Sequence, residues 1–126
     1  RLFEPGGRSL LGRTHEGAGK KLREVARALY TPDPTEEEAA GLGLTVEEAS
    51  GPPVEIWPPN VVPFNVFNSL CTQWRMGSSG PVGLDYNVLF HKLDRMKLPA
   101  DEYERVERDV RVMEDEALTV IWKRQP

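Results

Sequence analysis

The chain has 126 residues, of which 39% are apolar and 8% aromatic, with a net charge of −4 and one cysteine. That length suits one domain with a single small core, and the acidic balance argues against a duplex-DNA binder, which needs a basic face to displace counterions from phosphates. A lone cysteine excludes an intramolecular disulfide and suits a reducing compartment, while no apolar run approaches the roughly 20 residues of a membrane span and no signal-peptide pattern is seen.

Residues 1–30 carry seven Lys/Arg against three acids, and residues 31–60 carry seven acids and no Lys or Arg. The first 19 residues hold five glycines without sustained periodicity, which predicts a flexible arm or one that orders on a partner. Its basic charge leaves a local contact with RNA or an acidic partner open. Leu22, Val25, Ala26 and Leu29 then fall at helical spacing, predicting a short helix over about 20–30. The acidic, punctuated stretch that follows contains two capping-box patterns, Thr35 with Glu38 and Thr45 with Glu48, so short helical turns are expected there. Residues 1–53 are thus read as a flexible arm with one short helix and an acidic linker, and 54–126 as a helical domain.

"VEIWPPN" (54–60) is expected to be extended, because a residue before proline is pushed out of the α region. Asn60 can cap a helix over 60–76, with Phe64, Phe67, Leu70, Cys71 and Trp74 as its apolar stripe. Asp85 caps a second helix over 85–97, and a third spans 101–122, where Tyr103, Val106, Val110, Met113, Ala117 and Val120 form a narrow heptad-like seam. No stretch from 60 to 122 alternates with period two. The predicted fold class is all-α, a small three-helix bundle (60–76, 85–97, 101–122) preceded by a further N-terminal helix and an irregular, partly flexible arm.

Catalytic machinery is not evident. His15 and His91 lie far apart, and no His/Cys/acid cluster has metal-ligand spacing. Cys71 falls on the apolar stripe and is expected as a small core residue rather than a nucleophile. "GSSGPVG" (77–83) lacks the Lys-Ser/Thr ending of a phosphate loop. It reads better as a shaped connection in which Gly77 ends a helix in the left-handed conformation, Gly80-Pro81 turns the chain, and an Arg75–Asp85 pair staples the flanks. No enzyme activity, metal or cofactor is expected.

"WPPN" (57–60), "TQWRMG" (72–77), "GPVGLDY" (80–86) and "RVMEDEAL" (111–118) together resemble a small bacteriophage family encoded beside the tape measure gene. That family is similar in position and size to the downstream, frameshift-encoded part of the tail assembly chaperones of long-tailed phages. The resemblance covers about residues 54–121, with Gln73, Trp74, Arg75, Gly80, Pro81, Gly83, Leu84, Asp85 and Tyr86 as its motif core. It implies a non-enzymatic chaperone or adaptor for the tape measure protein, the tail-tube protein or both. Such a protein acts in the host cytoplasm during assembly and is absent from the mature virion. A permanent minor tail or connector component is the alternative. The chain opens at Arg1 without Met, which fits a frameshift extension as well as a trimmed or processed product. No nucleic acid or membrane partner is expected. Candidate partner contacts are the end of the long helix (Val120, Ile121, Trp122) and the arm (Leu2, Phe3, Leu10, Leu11). The seam itself either docks a partner helix or packs on the other two.

Overall fold

A computed structural model describes residues 3–5 and 15–123. The elements run β1 (Phe3–Pro5), α1 (His15–Tyr30), α2 (Glu36–Gly41), α3 (Val46–Ser50), β2 (Val54–Ile56), a 3₁₀ turn (Pro58–Asn60), α4 (Val61–Ser69), β3 (Trp74–Gly77), β4 (Gly80–Leu84), α5 (Tyr86–Met96) and α6 (Ala100–Lys123). β1 pairs in parallel with β2, and β3 pairs antiparallel with β4. The fold is therefore α+β, and the expected all-α bundle is overturned by these strands.

The departure is sharpest between residues 60 and 84. The helix expected to reach Met76 stops at Ser69, with Leu70 at its C-terminal cap. Leu70 is fully buried there, whereas Cys71, expected in the core, is exposed. Trp74 still reaches the core, but from a strand. Gly77 belongs to β3 and is not among the residues of positive φ, so it does not close a helix. Asn60 precedes α4 as a buried residue with helical backbone and makes no side-chain cap.

α6 is the spine. Its 24 residues make a rod about 36 Å long at 1.5 Å per residue. The seam residues Val106, Val110, Met113 and Ala117 are completely buried, so this stretch is consumed by internal packing. Each such valine or methionine contributes about 1.5–3 kcal/mol by leaving water. α1 and α4 cover the rod. From α1 come Leu22, Val25 and Ala26, and from α4 Val66 and Phe67. The core thus draws on both sides of the expected boundary between residues 53 and 54. Salt bridges line the α1–α6 seam: Arg23 Nη1 lies 3.1 Å from Asp115 Oδ2 and Arg27 Nε 3.2 Å from Glu116 Oε2. The hydrogen bond to Asp115 raises the Arg23 pKa.

"VEIWPPN", expected to be extended to residue 60, leaves the extended path at Pro58 for the 3₁₀ turn, and the helix expected over about 20–30 begins at His15. Other sequence expectations are met locally. Both capping boxes form, with Thr35 and Glu38 opening α2 and Thr45 and Glu48 opening α3. Hydrogen bonding to Thr45 lowers the Glu48 pKa. Asp85 caps α5 by accepting from the Asn87 amide at 3.0 Å. α6 begins at Ala100, which puts Asp101 and Glu102 in its first turn, where the helix dipole favours negative charge. No helix among the described residues is long and apolar enough to cross a membrane.

Candidate interaction surface

The motif core folds into the β3–β4 hairpin and the start of α5. Trp74 stands opposite Leu84, Arg75 opposite Gly83, Met76 opposite Pro81 and Gly77 opposite Gly80. Between Gly83 and Pro81 one residue, Val82, has no partner on β3, and this register shift is a β-bulge that twists the tip. Gly80 carries φ +146°, which a side chain would resist. A Cβ on Gly77 would sit 2.8 Å from Val82 Cγ1, so glycine there lets the valine lie across the tip.

The base of the hairpin is fixed from α6. Glu114 accepts hydrogen bonds from the Leu84 amide and the Tyr86 hydroxyl, each at 2.7 Å. Gly83 permits this approach, because a Cβ there would be 3.3 Å from both Glu114 Oε2 and an Arg75 guanidinium nitrogen. Charge-assisted bonds of this kind are stronger than neutral ones. Arg111, one helical turn before Glu114, lies over the Tyr86 ring at 4.3 Å and pairs with Glu107 at 2.9 Å. Burial, reinforced by the bond to Glu114, pushes the Tyr86 hydroxyl pKa well above its ordinary value.

Every motif residue has a place in this arrangement. The Gln73 carbonyl accepts from the Asp85 amide at 2.8 Å, extending the pairing by one step. Trp74 donates its indole N–H to the Tyr30 hydroxyl at 3.1 Å and packs edge-on against Tyr30 and Phe67. Burial raises the Tyr30 pKa, and the indole bond partly offsets that. Leu84 is fully buried. The expected Arg75–Asp85 pair is replaced by two separate contacts: Arg75 Nε donates to the Leu84 carbonyl at 3.3 Å, and Asp85 is occupied as the α5 cap.

Apolar exposure gathers at the other end of the hairpin. Among the described residues, the large apolar side chains left exposed are Met76 (67%), Val82 (52%), Trp122 (41%), Leu42 and Leu44. The first three adjoin Pro81. Met76 is its cross-strand partner, Val82 its neighbour, and Trp122 donates its indole N–H to the Pro81 carbonyl at 3.0 Å. That bond sets the tryptophan in place, so the surface combines apolar area with a fixed orientation. Val120 and Ile121, named with Trp122 from sequence, are half-buried. Leu2, Leu10 and Leu11 lie outside the described residues, and Phe3 is described only as part of β1.

Sequence reasoning missed Glu114, Tyr30, Met76 and Val82. Glu114 carried a signal: it sits beside the seam residues Met113 and Ala117 and inside "RVMEDEAL", yet it reads as one acid of a solvated run. Among the described residues no three His, Cys, Asp or Glu side chains are grouped to hold a metal ion.

Residues 42–121 match the family model described as "Phage related hypothetical protein (DUF1799)". No curated protein and no solved structure matches the chain.

Proposed function

The chain belongs to this phage-related family, and on that footing we propose that it is a non-enzymatic adaptor of phage tail assembly. In this reading it binds the tape measure protein, the tail-tube protein or both in the host cytoplasm, keeps them assembly-competent, and leaves before the particle is complete. The observation that carries the reading is the hairpin tip, where Met76, Val82 and Trp122 are each left exposed around Pro81. Interfaces draw most of their energy from a few oriented aromatic and apolar anchors, and exposed apolar side chains around a bulged tip, one of them an indole fixed by a hydrogen bond, are suited to that use. The motif core serves the same end indirectly, since its geometry seats the hairpin on α6 and thereby presents the tip. The resemblance noted in the sequence supplies the choice of partners.

The test is capture of co-expressed tape measure and tube proteins by the full chain, with circular dichroism as the control for folding. Wild type is expected to retain at least one of them. Trp122→Glu, paired with Val82→Glu, is expected to reduce capture by about tenfold or more, the loss of one modest hot spot, with an unchanged spectrum. Wild type that captures neither protein and is abundant in purified particles would assign the chain to the permanent tail or connector components instead.

A further inference from the structure

Two surfaces outside the hairpin complement one another. The first is the turn joining α2 to α3. Leu42 is 73% exposed and Leu44 is 39% exposed, and both are held by backbone bonds to the Ala39 carbonyl, at 3.0 Å from Leu42 and 2.9 Å from Leu44. Gly43, with φ +74°, makes the turn possible. Exposed acids surround the leucines: Glu36, Glu37 and Glu47 form no ion pair among the described residues, and no Lys, Arg or His occurs from 31 to 60. The turn is an acidic knuckle with two exposed leucines.

The second surface is a groove of about 550 Å³ between the end of α4 and the outer face of α5. Leu70, Val88 and Met96 supply its apolar lining, His91, Lys92 and Arg95 its polar rim, and no acid lines it. Lys92 and Arg95 form no ion pair among the described residues. The neighbouring acid Asp94 is engaged by the Tyr103 hydroxyl at 2.9 Å. The groove is concave, basic at the rim and apolar within.

We infer that a second copy of this chain docks here, with the α2–α3 knuckle of one molecule seated in the α5 groove of the next. Apolarity and charge are each matched between the two surfaces, and both halves of the match are carried by the one sequence. Within a single chain the knuckle packs chiefly on itself, α2 against α3, leaving its leucines and the groove open. Because the two faces differ, the contact is head to tail, and each added copy leaves one knuckle and one groove free. Such contacts close into rings or extend into filaments rather than stopping at a symmetric dimer. Opposed surface charges steer the encounter, and salt screens them.

Sedimentation velocity of the full chain over a concentration series, at low and high salt, reads the association directly. Species larger than dimers are expected to appear with concentration, with an association constant falling about tenfold or more from low to high salt. Lys92→Ser/Arg95→Ser disables the groove and Leu42→Ser/Glu47→Gln disables the knuckle, so each variant alone is expected to be monomeric. Mixed in equal amounts, they retain one good groove and one good knuckle, and the expected product is a heterodimer that grows no further. A wild-type chain that stays monomeric at low salt overturns the inference. So does association that both variants leave intact.

Discussion

The β3–β4 hairpin and the α2–α3 knuckle are both short and largely exposed, yet they are held by opposite means. The knuckle's bonds are local: Thr35 with Glu38 and Thr45 with Glu48 close each helix start over three residues, and Ala39 is its only fully buried side chain. The hairpin depends on distant partners. Its contacts with Glu114, Trp122 and Tyr30 span 30, 41 and 44 residues of sequence. A locally capped element can keep its shape when the rest of the molecule loosens, whereas a remotely anchored one cannot.

That contrast can be broken most forcefully at Trp74. Trp74→Ala removes a half-buried ring packed against Tyr30 and Phe67, and should cost about 2–3 kcal/mol in chemical denaturation, less than for a fully buried tryptophan. Glu114→Ala comes next. It leaves the Leu84 amide and the Tyr86 hydroxyl without their acceptor and should cost about 2 kcal/mol, while Glu114→Gln, which keeps one acceptor oxygen, should cost less. A Glu114→Ala protein as stable as wild type would show that the hairpin stands without α6.

Tyr86→Phe should have a smaller effect, about 1 kcal/mol at neutral pH, and it carries a pH signature. The folded-state pKa of Tyr86 lies above the ordinary 10.0, so folding favours the neutral hydroxyl. Its contribution is complete below the unfolded value and is lost as pH rises through the folded one. The stability gap between wild type and Tyr86→Phe should therefore narrow at strongly alkaline pH in urea titrations, and a constant gap would count against the Glu114 bond. The smallest global effect is expected at the knuckle. Thr35→Ala with Thr45→Ala should cost the local helices about 1 kcal/mol each and speed amide exchange over residues 35–50, with little change in the global midpoint. A clear drop in that midpoint would show the knuckle to be coupled to the core.

The same contrast explains what the sequence disclosed. Both capping boxes, the Asp85 cap and the seam of α6 were legible because each is decided within a few residues. The hairpin was not. Phe64, Phe67, Leu70 and Trp74 keep helical spacing past the point where the helix ends, since a strand starting at Trp74 brings the ring back to the same core. Strands of four and five residues, one interrupted by a bulge and rich in Gly and Pro, are too short to show period-two alternation. Their stability comes from Glu114 and Trp122, beyond any local window. For the candidate surface, Trp122 was found from its position at the helix end, while Met76 and Val82 became candidates only once the register was known.

The pairing of α1 with α6 bears on how the molecule comes into being. Arg23 and Asp115, which meet across that seam, are 92 residues apart in sequence, so the contact closes a loop nearly as long as the folded unit. Proteins dominated by such distant contacts fold slowly, because the chain loses loop entropy before the contact rewards it. During synthesis at roughly 5–20 residues per second, α1 would emerge roughly 5–18 s before its partner. Through that interval Leu22, Val25 and Ala26 lack the surface that covers them in the finished fold. The nascent chain is then most vulnerable to wrong association at its first helix, and folding completes only when its last helix arrives.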